Sequence, residues 1–583
     1  MKRDLALLTL LALLAYLPGL ASLPPVDRDE ARYAQAAVQM VETGDYIDIR
    51  FQEEPRYKKP VGAYWAQVAA VFATGQADDV RAGERPLWAQ RLPSVLGALV
   101  AVWATYLAGL ALFGRREALV GAALLAVSVS LVFEAHQAKT DALLAGACAM
   151  ALYGVVRGRA WPFWLAVGAG VLVKGPVIVG VVGLAVLALF MLQKMRPLPL
   201  AGEVADRPEG GMHTSTRLPA RVLKASFRSP PLWGTSPASG GGHTLSKPLL
   251  RPLPILVTLA LTLPWFIAIG LHSDGAFYAE ALGRDFGAKL GSAQEAHGGP
   301  PGYYLLTTLV MWWPGVVALP VAALWAWRHR RTPAVTLLLC WLVPMWIVLE
   351  FVPTKLPHYT LPLYPALALL CGAALVRAWR GWPRWAGTAL FALSGLALAT
   401  VASLGIAGPA VSGTGAISLL ATPSVAVTAI ACLLLLGGAL CFGHLQSWMK
   451  LAAASAGLLA VGFGWTLPRD TLWIAPQIAG HADGRRVVSP GFREPSLVYL
   501  AGTDTRLDTS GMRPGDLLVW GGGLAPVFPP DCARNEGWRS VGINYADGTP
   551  DPSLTGFATD ACDPASLERW RAGQAAPATD GGG

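Results

Sequence analysis

The sequence predicts an α-helical polytopic membrane protein of about thirteen transmembrane helices, with a small mixed α/β domain at its C-terminal end. Three observations predict it. Of 583 residues, 54% are hydrophobic and only 14% charged, against about 25% charged in soluble domains. Apolar runs long enough to cross about 30 Å of hydrocarbon recur along the chain. After Pro468 the runs stop, and short strand-like pieces alternate with Gly, Pro and Asp turns.

Taken in order, the runs are 4–25, 88–112, 117–133, 142–157, 161–175, 177–193, 250–270, 303–326, 333–350, 358–376, 386–406, 421–443 and 448–467. Met1-Lys2-Arg3 resembles the start of a signal peptide, but the first run leads straight into a charged block and reads as an uncleaved anchor. The apolar stretch 61–74 has only fourteen residues, which suits an interfacial or re-entrant helix rather than a crossing. With the N-terminus cytoplasmic, Arg115-Arg116, Arg157 with Arg159, Lys194 to Arg196, Arg328 to Arg331, Arg377 to Arg384 and Lys450 all fall on the cytoplasmic side. That is the positive-inside pattern, and it favours thirteen crossings over fourteen.

The organisation that follows is a membrane domain over 1–467 with an exported juxtamembrane loop at 27–87, and an exported domain over 468–583. The insertion at about 197–247 is rich in Gly, Ser, Pro and Thr and is expected to be flexible. From Arg469 onward ten Arg, no Lys and fourteen carboxylates give a net charge of −4, which argues against nucleic-acid binding. Strands are expected at Arg486–Val488, Leu497–Leu500 and Asp516–Trp520. Cys532 and Cys562, the two cysteines of this domain, are expected to pair in an oxidising compartment. No cysteine spacing resembles a metal site.

Chemistry concentrates in the block from Asp27 to Trp65, where Asp27, Asp29, Glu30, Arg32, Lys58 and Lys59 follow an apolar helix directly. Charges beside hydrocarbon are costly and are kept for function. The same face receives Lys139-Thr140-Asp141, the Lys174-Gly175-Pro176 turn, the loop 271–302 and the stretch from Glu350 to His358. They are expected to meet over one cavity.

Asp29-Glu30-Ala31-Arg32-Tyr33, Gly44-Asp45, Arg56-Tyr57-Lys58-Lys59-Pro60, Arg91-Leu92-Pro93-Ser94, Lys139-Thr140-Asp141, Leu172-Val173-Lys174-Gly175, Leu263-Pro264-Trp265-Phe266, Lys355-Leu356-Pro357-His358-Tyr359 and Glu494-Pro495-Ser496-Leu497 together resemble, in order, the bacterial integral-membrane GT-C glycosyltransferases of the aminoarabinose transferase and protein O-mannosyltransferase superfamily. The resemblance implies transfer of a sugar from a polyprenyl monophosphate carrier, such as undecaprenyl phosphate, to lipid A or a related envelope acceptor. It implies a bacterial inner-membrane protein with a periplasmic active site, acting among membrane lipids as a monomer.

On this reading Asp29, Glu30 and Asp141 are the candidate catalytic carboxylates, and Arg56, Lys59, Lys174, Arg284, Lys355, His358 and Tyr359 the substrate-binding set. Each has a plainer alternative. Asp29 can cap the amphipathic helix that follows it, and Glu30 can pair with Arg32 as scaffolding. Lys59 and Lys174 can mark the lipid interface, Thr140 or Asp141 can cap a helix, and Lys355 can pair with Glu350. The resemblance assigns Lys59 and Arg284 to the carrier phosphate. It also implies an acidic metal ligand just before that lysine, where this chain has Lys58. An ammonium cannot ligate Zn²⁺, so no firm cofactor is expected and a divalent metal is disfavoured.

Two other readings stand beside this one. A transferase to protein hydroxyls or another envelope glycan would ask more of Asp29 as a base. A lipid or sugar transporter would spread its charges over both faces and show an inverted repeat, which the sequence does not display.

Overall fold

The computed structural model describes all residues except 27, 196–248, 288–297, 408–444, 469–472, 491, 510, 521–533, 541–553 and 560–583. The expected insertion at 197–247, the run 421–443 and the Cys532–Cys562 pair therefore lie outside the described residues.

An apolar α1 (Lys2–Tyr16) leads into a polar unit made of α2 (Arg28–Thr43), the hairpin β1 (Arg50–Phe51) and β2 (Glu54–Pro55), α3 (Gly62–Ala73) and the short α4 (Ala77–Arg81). The bundle continues with α5 (Leu87–Leu112), α6 (Arg115–Ala126), α7 (Val129–Ala135), α8 (Asp141–Arg157), α9 (Ala160–Lys174), α10 (Val177–Met195) and α11 (Pro252–His272). Next come α12 (Ala276–Tyr278), α13 (Tyr303–Met311), α14 (Leu319–His329), α15 (Pro333–Phe351), α16 (Tyr364–Ala378), α17 (Trp382–Ala407) and α18 (Leu445–Val461). Helices dominate because hydrocarbon offers the backbone no partner but itself.

Among the described residues five helical stretches are long and apolar enough to cross a membrane: Leu87–Leu112, Pro252–His272, Pro333–Phe351, Pro357–Ala378 and Ser447–Trp465. Two of the runs expected as single crossings are bent helix pairs, each a broken span or a re-entrant loop. The run 117–133 breaks by 56° between α6 and α7, and the run 303–326 breaks by 119° between α13 and the helical stretch Gly315–His329. Pro314 lies at the second break, where it cannot donate to the helix ladder. The 61–74 stretch forms α3, whose Tyr64, Gln67, Val68 and Val71 are buried in the polar unit.

Backbone contact between α5 and α8 sets the site. A Cβ on Gly97 would stand 2.7 Å from Leu143 Cα, and one on Gly146 would stand 2.5 Å from the Gly97 carbonyl oxygen. Only glycine allows the two helices to cross this closely, which brings Asp141, the first residue of α8, up beside the polar unit.

The C-terminal domain consists of α19 (Ile474–Ala482), β3 (Val487–Val488), α20 (Pro495–Ala501), β4 (Leu517–Trp520), β5 (Arg534–Ser540) and β6 (Leu554–Ala558). The sheet order is β3-β4-β6-β5, with β3 and β4 parallel and the other pairs antiparallel. Two expected strands are present as β3 and β4. The third, Leu497–Leu500, is helical: Pro495 occupies the first turn of α20, where its missing N–H costs nothing. This helix docks on α2 and the start of α5. Tyr499 donates to Gln90 Oε1 at 2.6 Å, and Arg28 makes two 2.7 Å hydrogen bonds to Glu494.

Candidate active site

Two spaces meet on the polar side of the bundle. One is a cavity of about 860 Å³ walled by α2, the 56–59 segment, α7, the start of α8, the 354–359 segment and the C-terminal domain. The other is an apolar groove of about 480 Å³ between α9, α10, α11, α12 and α15, lined by Val171, Val179, Leu184, Phe266, Phe277, Met345 and Leu349 among others. Lys58, Lys59, Asp141, Lys174 and Tyr359 line both, so they form the junction. Eight Lys and Arg face five carboxylates around the larger cavity, an excess of three positive charges before His358 is counted.

Asp29 sits in the first turn of α2, inside the helix rather than at a cap position. Its side chain is 53% exposed, and that exposure is to the cavity it lines. Arg56 Nη2 lies 3.4 Å and Arg32 Nη1 4.0 Å from Oδ1. Burial pushes the carboxyl upward, but Arg56, then Lys139, Arg32 and Lys59, outweigh it and hold Asp29 down at about 2. Arg56 is itself buried, with its guanidinium 5.2 Å from the Tyr33 ring centroid, and Tyr33 stacks on Tyr64 at 4.8 Å. Arg56 thus lies beneath the carboxylate as well as lining the cavity.

On the opposite wall, Lys174 Nζ is 2.5 Å from Asp141 Oδ1 and 5.4 Å from the Tyr359 ring centroid. His358 stands between two carboxylates, with Nδ1 3.6 Å from Glu134 Oε1 and Nε2 3.8 Å from Asp141 Oδ2. Lys139 Nζ lies 3.3 Å from the same Glu134 oxygen. Neither Thr140 nor any other side chain caps α8. Lys59 lines the junction and donates to the Lys58 carbonyl at 3.0 Å, while Arg284 reaches the rim with 84% of its side chain exposed, 3.3 Å from Glu280.

Two expected residues stand off the lining. Glu30 is fully buried and pairs not with Arg32 but with Arg91, which donates from Nε at 2.7 Å and from Nη2 at 3.0 Å. It also accepts the backbone N–H of Val26 at 2.9 Å and of Ala138 at 2.8 Å. Its lone pairs are spent on holding chain segments together. Lys355 is 4% exposed and turns its ammonium onto the Val352 carbonyl at 2.8 Å, and Glu350 instead accepts the Gly302 N–H. Thr354 and Leu356, its neighbours, line the cavity.

Sequence reasoning missed Glu134, Lys58 as a junction residue, Arg28, and the wall contributed by Trp473, Ile474, Phe492 and Ser496. A carboxylate inside the apolar run VSLVFEA was the available signal for Glu134. Among the described residues the one cluster spaced to hold a metal is Asp45, Asp48 and His272. It lies outside both cavities, and Asp48 already accepts from Tyr57 and Arg50, each at 2.8 Å.

With this geometry in hand, the chain is similar to known proteins in three ways. Residues 81–201 match the family profile described as dolichyl-phosphate-mannose-protein mannosyltransferase. The undecaprenyl phosphate-alpha-4-amino-4-deoxy-L-arabinose arabinosyl transferase of Yersinia pestis (strain Pestoides F) is 26% identical over 387 residues, 63% of this chain and 58% of that protein. The protein of the same description from Pectobacterium carotovorum is 26% identical over 365 residues, 59% of this chain and 54% of its own length. The chain thus spans under two thirds of the curated relatives it matches. ArnT from Cupriavidus metallidurans, crystallised bound to undecaprenyl phosphate, superposes with a TM-score of 0.63 at 18% identity over 95% of this chain and 97% of that one. These likenesses agree with the resemblance read from the sequence, and the chain is a membrane protein with the fold of ArnT from Cupriavidus metallidurans.

Proposed function

We propose that the chain transfers a sugar from a polyprenyl (undecaprenyl) monophosphate carrier to the phosphate of lipid A or a related envelope lipid. One observation carries the reading: an apolar groove opens into a polar, net-positive cavity through a junction of three lysines, Asp141 and Tyr359. The groove suits a polyprenyl tail, the junction its phosphate, and the cavity the sugar and acceptor. We place the N-terminus in the cytoplasm and the cavity with the C-terminal domain at the periplasmic face of a bacterial inner membrane.

In the proposed reaction an acceptor oxygen forms a bond to the anomeric carbon as the bond from that carbon to the carrier phosphate breaks. The departing electron pair stays on the phosphate, where Lys58, Lys59 and Lys174 offset its charge. Asp29 faces the positive charge that develops on the sugar. A carboxylate held at about 2 is a weak base, so it suits an acceptor that is already ionised better than a hydroxyl. This favours a lipid phosphate over a protein hydroxyl.

The residues do not fit the metal that the resemblance implies. Lys58 occupies one ligand position, and Lys174 covers Asp141 Oδ1 at 2.5 Å. We therefore read transfer as independent of a divalent ion, and turnover should survive exhaustive chelation. Loss of turnover that stoichiometric Zn²⁺ restores would reverse this part of the reading. The main test is transfer by the purified protein from a defined polyprenyl-phosphate sugar to labelled lipid A, read by mass spectrometry. Transfer to a hydroxyl peptide but not to the lipid would favour the alternative acceptor, and absence of both would refute the reading.

A further inference from the structure

We propose that Glu134 is a positioning residue: it fixes the imidazole of His358, and through that ring the Tyr359–Lys174 pair at the groove mouth. The inference rests on the transfer reading for its kinetics but not for its geometry. Glu134 is 1% exposed in a short helix whose neighbours Leu131, Val132 and Ala135 are buried and apolar. A carboxylate in such surroundings is retained only with compensating partners. Lys139 Nζ and His358 Nδ1 approach Oε1, at 3.3 and 3.6 Å.

The second ring nitrogen of His358 faces Asp141 Oδ2 at 3.8 Å. A flat ring with a carboxylate at each nitrogen has one orientation that serves both, so α7 and α8 together set its plane. The chain of contacts continues outward. The His358 ring meets the Tyr359 ring edge-to-face at 5.2 Å and 82°. The Tyr359 face carries Lys174, whose ammonium is also held by Asp141. Lys139 runs the other way, toward Asp29, whose ionised form it helps to favour. Glu134 thus touches groups of both walls while its own side chain stays buried at the cavity lining.

The test is a double-mutant cycle with a labelling control. In detergent, with active sites counted by undecaprenyl phosphate binding stoichiometry, Glu134→Gln should slow turnover per site by about tenfold, within the range of directly coupled neighbours. Glu134→Asp should recover part of the rate. In a His358→Gln background the same Glu134→Gln change should have almost no further effect. Independently of turnover, carbethoxylation of His358 by diethylpyrocarbonate, followed by peptide mass spectrometry, should accelerate several-fold in Glu134→Gln, because the ring is no longer held from both sides. Additive losses in the cycle, or unchanged labelling of His358 in a variant that melts normally, would overturn the proposal. Absence of turnover in the unsubstituted protein refutes the transfer reading instead, and the labelling comparison still decides Glu134.

Discussion

Asp29 and Glu30 are adjacent in the sequence, yet they should respond to substitution in opposite ways. Glu30 and Arg91 are both fully buried, and Glu30 accepts four hydrogen bonds from three different parts of the chain. Removing the carboxylate with Glu30→Ala leaves a guanidinium inside the protein with only the Leu20, Leu23 and Pro24 carbonyls for company. Breaking a buried pair in this way costs about 3–5 kcal/mol, a factor of about 10²–10⁴ in the local folding equilibrium. Removing both charges is far milder, because the penalty is chiefly that of the orphaned partner. Glu30→Ala should therefore melt well below the parent in a fluorescence-detected size-exclusion assay. The double variant Glu30→Leu with Arg91→Met should recover much of the difference. Asp29→Asn should melt closer to the parent than Glu30→Ala does, since its side chain faces the cavity and only the contribution of its ionised form is lost. If Glu30→Ala melts normally yet abolishes transfer, the carboxylate acts on substrate and its assignment as a brace is wrong.

Asp29→Asn should cut turnover by about 10²–10⁴-fold while leaving undecaprenyl phosphate affinity unchanged, as expected of a group acting on the transition state; normal turnover in a calorimetrically intact variant would make it structural. Lys174→Met should weaken carrier binding in a tritiated-carrier assay whereas Lys355→Met should not, because the Lys355 ammonium is turned onto the Val352 carbonyl; equal losses would return Lys355 to the site. Asp29 is depressed below the usual carboxylate range, so its ionised form adds stability above about pH 4, and that contribution is lost only as pH falls toward 2. No acid limb from Asp29 should appear in turnover between pH 5 and 8, on ordinary carboxylate values. Arg56→Gln removes the strongest of the opposing cations, leaves the upward push of burial, and should bring such a limb into view.

Much of this was legible because a membrane chain makes charge conspicuous. Asp29, Lys59, Asp141, Lys174, His358 and Tyr359 stand at the ends of apolar runs, and the fold gathers them around one cavity. Glu30 was not separable from Asp29, since the partner that occupies it, Arg91, lies 61 residues away on α5. Lys355 failed for a local reason: the turn at Pro353–Pro357 leaves a backbone carbonyl unpaired, and the nearest ammonium takes it. Glu134 follows the run 117–133 directly, and its partners Lys139 and His358 come from the segments after α7 and before α16, a meeting the sequence does not display. Leu497–Leu500 fitted the spacing of a short buried strand, and Pro495 was the mark of a helix start instead.

The shared junction has a kinetic consequence for a reaction of the proposed kind. The lysines that receive the sugar-loaded carrier grip its phosphate, and that phosphate remains after the sugar has gone. Donor and spent carrier then differ in charge by the one bond that breaks, and the spent form, with its freed oxygen, binds the same lysines at least as firmly. Such a protein is prone to inhibition by its own by-product, and its turnover is paced by how readily the emptied lipid slides out of the groove.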